Sequence, residues 1–186
     1  MKRLFAAIKT VPDQEFLETY RALQLSLRNN SIKWVEEENL HITINFFGET
    51  SEGLIPVISN VLNSIAASIP DFSFRYEGLG IFGSAYNPRV IWAAIEPYRE
   101  LSNVIQRLKN ELVVAGFSAD RQNPVPHLTL GRIRSIQDRQ RFQKVLDAYK
   151  MISSQPMMTR RLILFESVLQ HSGPEYHIIR SFPLKK

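Results

Sequence analysis

Two short motifs, each a histidine followed two positions later by a threonine, hold the residues best suited to chemistry. They are His41-Ile-Thr43 and His127-Leu-Thr129. Because alternate residues of a strand share a face, each motif presents one imidazole and one hydroxyl together. Near neutral pH a neutral imidazole accepts a proton and a protonated imidazole donates one, while threonine hydroxyls bind phosphate oxygens. The pair of motifs predicts general acid–base catalysis of phosphoryl transfer.

The residues around the motifs do not favour a metal site. Zinc normally takes three or four protein ligands, often with a carboxylate among them, and neither motif contains Asp or Glu. The chain has no cysteine, which excludes disulfide scaffolds, thiol nucleophiles and cysteine-held iron–sulfur clusters. We therefore expect neither a metal ion nor another cofactor.

Arg132 follows the second motif and offers a fork of N–H donors to a phosphate. Strict alternation places it on the face opposite His127, so its use requires that a bulge at Gly131 turn it back toward the cleft. The alternative is a surface arginine at a sheet edge.

Alternation also assigns the residues around the first motif. Leu40, Ile42, Ile44 and Phe46 are predicted to face the core, and Asn45 to share the His41 face. Two aromatic residues, Phe47 and Tyr86, are candidates for stacking on a nucleobase, Phe47 only if it keeps the His41 face. The alternative for both is ordinary packing. The other two histidines are expected to be a solvated loop residue, His171, and a structural strand residue, His177.

An internal repeat carries these motifs. Arg3-Leu-Phe-Ala-Ala-Ile resembles Arg89-Val-Ile-Trp-Ala-Ala-Ile, and the His-x-Thr motifs recur 86 positions apart. Apolar residues at helical spacing predict helices near 12–27, 54–67, 101–114 and 136–149, and extended runs lie at 72–82 and 159–169. The pattern predicts an α+β fold: a single bilobal domain of residues 1–186, with units of roughly 1–85 and 86–170 and a closing strand at 176–181. Two mainly antiparallel sheets with outer helices would surround a central cleft.

Charge and hydropathy point to a soluble protein with an anionic partner. Among the 186 residues the net charge is +5, with −2 in residues 1–93 and +7 in residues 94–186. No apolar run approaches the length of a membrane span, and the N-terminal apolar stretch is short enough to be a strand rather than a signal peptide. We expect a cytoplasmic protein without a membrane partner. A monomer is the simplest state, since the repeat already supplies a two-fold cleft.

At these residues the chain resembles the two-histidine (2H) phosphoesterase superfamily, and most closely its RNA 2′,3′-cyclic phosphodiesterase branch, also called 2′-5′ RNA ligase-like. The resemblance spans nearly the whole chain. It rests on the opening strand, both motif blocks and the ending, which are Arg3-Leu-Phe-Ala-Ala-Ile, Trp34-Val, Glu38-Asn-Leu-His-Ile-Thr43, Phe46-Phe-Gly48, Arg89-Val-Ile-Trp92, Pro126-His-Leu-Thr-Leu130, Phe165-Glu-Ser, Tyr176 and Phe182-Pro-Leu184.

The resemblance implies metal-independent hydrolysis of 2′,3′-cyclic phosphate ends of RNA to 2′-phosphomonoesters. It implies His41 as the proton donor, His127 as the proton acceptor, and Thr43 and Thr129 as phosphate ligands, with Arg132 at a basic position after the second motif. The residues alone leave open which histidine takes which role. Three alternatives also remain: a 2′-5′ RNA ligase, a phosphodiesterase for another small nucleotide, and a non-catalytic RNA-binding module. A two-histidine mechanism predicts a bell-shaped pH profile around neutrality.

Overall fold

The computed structural model describes residues 1–84, 86–117, 125–170 and 173–186. Within these ranges the helices are α1 (Gln14–Ser26), α2 (Ile55–Ser68), α3 (Tyr98–Val114) and α4 (Arg139–Ala148). The strands are β1 (Lys2–Lys9), β2 (Ser31–Trp34), β3 (His41–Thr50), β4 (Phe72–Ser84), β5 (Asn87–Glu96), β6 (His127–Ser135), β7 (Met157–Thr159), β8 (Arg161–Leu169) and β9 (Pro174–Pro183). No helix in these ranges is long and apolar enough to cross a membrane.

The strands form a continuous antiparallel sheet in the order β7-β4-β5-β6-β3-β1-β8-β9, and β2 pairs with the far end of β6. Its two halves meet at the centre, where β3 and β6 share the single register pair Ile42 and Leu128. The predicted α+β class with internal duplication is confirmed, and the two predicted sheets are joined along this central seam.

The last strand of each sequence repeat pairs in the opposite half of the sheet. β4, which ends the first repeat, pairs with β5 of the second. β8, which ends the second repeat, pairs with β1 at the start of the chain, where Phe5 lies opposite Phe165. Each half of the sheet is therefore built from both repeats.

The helices cover one face of the sheet because each carries an apolar stripe. In α1 the Asp13 carboxylate caps the first turn by accepting from the Phe16 N–H at 3.1 Å. The hydroxyl of Tyr20, a fully buried residue, lies 2.7 Å from the carbonyl oxygen of Val35 and 2.8 Å from that of Leu130. It shares its one proton between them, which ties this helix to β6. The opposite face of the sheet carries the two motifs.

Candidate active site

The central seam of the sheet brings the two motifs together. Ile42 and Leu128 are paired in antiparallel register and point into the core. The antiparallel direction therefore sets His41 across from Thr129 and Thr43 across from His127, all four on the opposite face. All four side chains are half-buried. Two imidazoles and two hydroxyls thus alternate around one point, the arrangement expected around a small tetrahedral anion.

Each imidazole is oriented by the same backbone contact. His41 Nδ1 lies 2.7 Å from the carbonyl oxygen of Asn39, and His127 Nδ1 lies 2.8 Å from that of Val125. A carbonyl only accepts, so Nδ1 carries the proton in both rings. Nε2 is then the titrating atom, a lone pair when the ring is neutral and a donor when it is charged. This tautomer equips either histidine to act as base or acid through Nε2.

Aromatic rings hold both imidazoles in place. His41 lies 5.0 Å from Phe5 and 5.2 Å, edge-on, from Tyr176, between ring centroids. His127 lies 4.7 Å, edge-on, from Phe82. These ring contacts hold the imidazoles in orientation without competing for Nε2.

A β-bulge in the sixth strand brings Arg132 into the cleft. In the β5–β6 ladder Trp92 pairs with Thr129 and Ile91 with Gly131, so Leu130 is the extra residue and the alternation resets after it. Arg132 consequently lines the same cavity as Thr129. A glycine is needed at position 131 because a larger residue would not fit: an added Cβ would lie 2.8 Å from the ring of Trp34.

A matching bulge in the third strand overturns the alternation predicted after Ile44. In the β1–β3 ladder Thr43 pairs with Ala7 and Asn45 with Ala6, so Ile44 is the extra residue. Phe46, predicted to face the core, therefore lines the cleft.

The other two residues after this bulge are reversed as well. Asn45, predicted to share the His41 face, is buried on the helical side. Phe47 does not keep the His41 face: its ring packs against the main core and lies 6.2 Å from that of Phe117. The condition set for its stacking on a base is not met.

A cavity of about 370 Å³ opens from the motif side chains toward the β8–β9 hairpin, on the His41 side of the cleft. Thr43, Thr129, Arg132 and Tyr176 line it. The Arg3 guanidinium, which also lines it, lies over the Phe46 ring at 5.1 Å from the centroid. Within the described ranges neither Arg3 nor Arg132 forms an ion pair with a carboxylate. The cavity wall is therefore cationic as well as aromatic.

Both histidines titrate below their ordinary range. Burial lowers the pKa of His41, and the positive charges of Arg132 and His127 lower it further, against the opposing hydrogen bond to Asn39. Burial and Arg132 likewise lower the pKa of His127, against the hydrogen bond to Val125. Both rings are thus mainly neutral at neutral pH. An anion bound between the motifs would offset these positive charges and so raise both pKa values.

Tyr86 and His177 do not line the cavity between the motifs. Tyr86 is on a turn with 81% of its surface exposed. His177 is exposed on β9, with Nε2 3.6 Å from a Glu175 carboxylate oxygen. His171 falls outside the described residues.

Sequence reasoning gave no role in the site to the aromatic side chains that surround the two imidazoles. Trp92, Phe82 and Tyr176 come from three separate strands, and no local pattern links them to the motifs. Trp92 carried one usable signal: it stands beside the Ala-Ala-Ile triplet of the second repeat, where the first repeat has Phe5.

A duplicated α+β sheet with a His-x-Thr strand from each half facing one cleft defines a two-histidine phosphoesterase. The chain belongs to the family described as LigT-like phosphoesterases, whose model matches residues 10–92 and 95–176.

Relatives and solved structures agree with this placement. The chain is 31% identical to an RNA 2′,3′-cyclic phosphodiesterase of Methanocaldococcus jannaschii, over 97% of this chain and 99% of that protein. It is 32% identical to an RNA 2′,3′-cyclic phosphodiesterase of Thermotoga maritima, over 84% and 81%. Its fold is similar to that of a Thermus thermophilus protein (TM-score 0.76, 23% identity, 98% of both chains). It is also similar to Escherichia coli LigT complexed with 3′-AMP (TM-score 0.75, 20% identity, 100% and 99%).

Proposed function

We propose that this protein is a metal-independent RNA 2′,3′-cyclic phosphodiesterase of the cytoplasm, active as a monomer. It opens the cyclic phosphate at an RNA end to leave a 2′-phosphomonoester. The observation that carries the proposal is the central register, which sets His41 and Thr129 opposite each other beside Thr43 and His127. The activity named for the relatives supports the choice of an RNA cyclic phosphate as substrate.

The reaction uses the two Nε2 atoms in opposite protonation states. Neutral His127 takes a proton from a water molecule as the water oxygen forms a bond to phosphorus. Protonated His41 gives its proton to O3′ as the bond from phosphorus to O3′ breaks. One P–O bond forms and one breaks, and each histidine ends in the state in which the other began, so proton exchange with solvent restores the site.

The other polar groups of the site act on the phosphate. Thr43 and Thr129 donate hydrogen bonds to the non-bridging oxygens, where negative charge grows in the transition state. Arg132 adds a guanidinium fork to the same oxygens. The cavity of about 370 Å³ on the His41 side matches the size of small-ligand sites and accommodates the terminal nucleoside.

The test is hydrolysis of a short RNA ending in a 2′,3′-cyclic phosphate, in EDTA, by the wild type and by His41→Ala and His127→Ala. Each variant should lose about 10²-fold or more in kcat/KM, because each removes one proton-transfer group. His177→Ala is the matched control, since this histidine is exposed outside the cleft, and it should retain full activity. The product should carry its phosphate on the 2′ oxygen.

A second substrate separates the acid from the base. A phosphodiester with an aryloxide leaving group needs no protonation of that group, so it should restore much of the activity of His41→Ala but not of His127→Ala. The reverse pattern would exchange the two roles. If folded wild type binds RNA without hydrolysing it, and the double alanine variant binds equally well, the protein is an RNA-binding module. A joined 2′-5′ product as the main outcome would make it a ligase.

A further inference from the structure

We infer that the hydroxyl of Tyr176 is a further substrate-binding group of this site, donating a hydrogen bond to a phosphate oxygen on the His41 side of the cleft. The inference rests on the proposed function, because it takes the ligand to be a phosphodiester anion held between the motifs. It assigns to Tyr176 a role that neither the His-x-Thr motifs nor the proton transfers require.

The ring of Tyr176 is held firmly, which fixes where its hydroxyl lies. Tyr176 sits on β9, edge-on to His41 at 5.2 Å and 85° between ring planes, and edge-on to Phe5 at 5.0 Å and 71°. It lines the cavity together with Thr43 and Thr129, the two threonines assigned to the phosphate. A group positioned in this way is preorganised for a ligand in the cavity.

The hydroxyl of Tyr176 lies in the field of two guanidinium groups and has no protein acceptor among the described residues. Burial raises the pKa of Tyr176, and the positive charges of Arg132 and Arg3 oppose part of that rise. Guanidinium groups only donate, so neither can accept the phenolic proton. Among the described residues no side chain or backbone group forms a hydrogen bond with this hydroxyl. An anionic oxygen placed here would accept from the phenol and from the guanidinium groups together.

Comparison with the other half of the site shows that packing does not need the hydroxyl. The ring edge-on to His127 is Phe82, at 4.7 Å and the same interplanar angle of 85°. Phe82 and Tyr176 thus hold the two imidazoles in the same way, yet only Tyr176 carries a polar group. The polar group therefore stands on the side where His41 delivers its proton to the departing oxygen, and the hydroxyl serves the phosphate there.

The test is Tyr176→Phe, which keeps the ring and removes only the oxygen. A hydrogen bond to a charged acceptor predicts a fall in kcat/KM on the cyclic-phosphate RNA of about tenfold to a hundredfold. The dissociation constant for inorganic phosphate, measured by calorimetry, should rise by a comparable factor. The limbs of the pH profile should stay in place, since the ring still packs on His41. Tyr98→Phe is the control for loss of a tyrosine hydroxyl, because Tyr98 is 51% exposed on the helical face, and it should match the wild type.

Two outcomes overturn the inference. The first is a Tyr176→Phe enzyme within about twofold of the wild type in both kcat/KM and phosphate affinity. The second is an unaffected Tyr176→Phe combined with a Tyr176→Leu that loses activity, which would limit Tyr176 to packing. If the wild type hydrolyses no cyclic phosphate, the proposed function fails. The phosphate affinities then decide the inference alone: a tenfold loss supports it, and equal affinities refute it.

Discussion

Gly80 lies against the indole of Trp92, so replacing it by alanine perturbs the His127 side of the cleft without altering a polar group. An added Cβ would overlap Cζ2 of Trp92 and lie 2.6 Å from Cε2, where ordinary contacts begin at 3.4 Å. The indole must therefore move by about 1 Å, since the backbone of Gly80 is fixed in the ladder opposite Trp92. Trp92 stacks on Phe82 at 4.9 Å, and Phe82 packs edge-on against His127, so the displacement reaches the imidazole.

A misplacement of about 1 Å at a reacting group costs about 10²-fold in rate, and overpacking costs about 1–3 kcal/mol of stability. We expect Gly80→Ala to lower kcat/KM on a cyclic-phosphate RNA by about that factor, with a smaller loss of unfolding free energy in urea. Adding Trp92→Phe should recover part of the activity, because the smaller ring relieves the contact. Gly53→Ala is the control, since its Cβ would meet only Ser51 Oγ at 3.9 Å. A folded Gly80→Ala within about threefold of the wild type would refute the idea that this aromatic stack positions His127.

Three further predictions concern charge. The pKa values of His41 and His127 are both lowered in the free protein, so the bell-shaped profile of kcat/KM against pH should be centred below the ordinary pKa of histidine. The profile of kcat should lie at higher pH, because the bound phosphate offsets the positive charges that lower the two pKa values. A kcat/KM optimum in the alkaline range would contradict this prediction. Arg132→Gln should lower kcat by about 10²-fold and shift the kcat/KM bell upward, as measured in the same titration. Asp13→Ala should cost about 1–2 kcal/mol in urea unfolding at neutral pH. Burial raises the pKa of Asp13, but hydrogen bonds from the Gln155 and Phe16 N–H groups bring it below the usual 3.8. This stabilisation is present above 3.8 and is lost as pH falls through the folded value, so wild type and variant should converge in strong acid.

The features that could be predicted from the sequence are those that occur in both copies of the internal repeat. The paired motifs and their helices recur at one offset, so the duplication, the α+β class and the meeting of two histidines followed from local pattern. A strand period of two then placed His41 and Thr43 on one face, which the register supports as far as Ile44.

The features that could not be predicted depend on which strands become neighbours. The bulges at Ile44 and Leu130 exist only in relation to the partner strands β1 and β5, and each reverses the faces of the residues that follow. For that reason Phe46 lines the cleft instead of facing the core, and Phe47 packs on the core instead of keeping the His41 face. Tyr176 reaches His41 because β8 and β9 extend the sheet beyond β1. No short segment of the sequence encodes this pairing.

The last strand of each repeat pairs in the opposite half of the sheet, and this pairing also determines when the protein can become active during its synthesis. The surroundings of His41 combine Phe5, near the start of the chain, with Phe165 and Tyr176, near its end. A ribosome must therefore release the chain through β9 before this side of the cleft can close. Contacts between such distant residues form slowly, because the loop between them must be ordered first. A nascent or truncated chain with both His-x-Thr motifs but without β8 and β9 would carry the chemical groups of the site and lack the walls that orient them, so full activity requires that these two strands have paired.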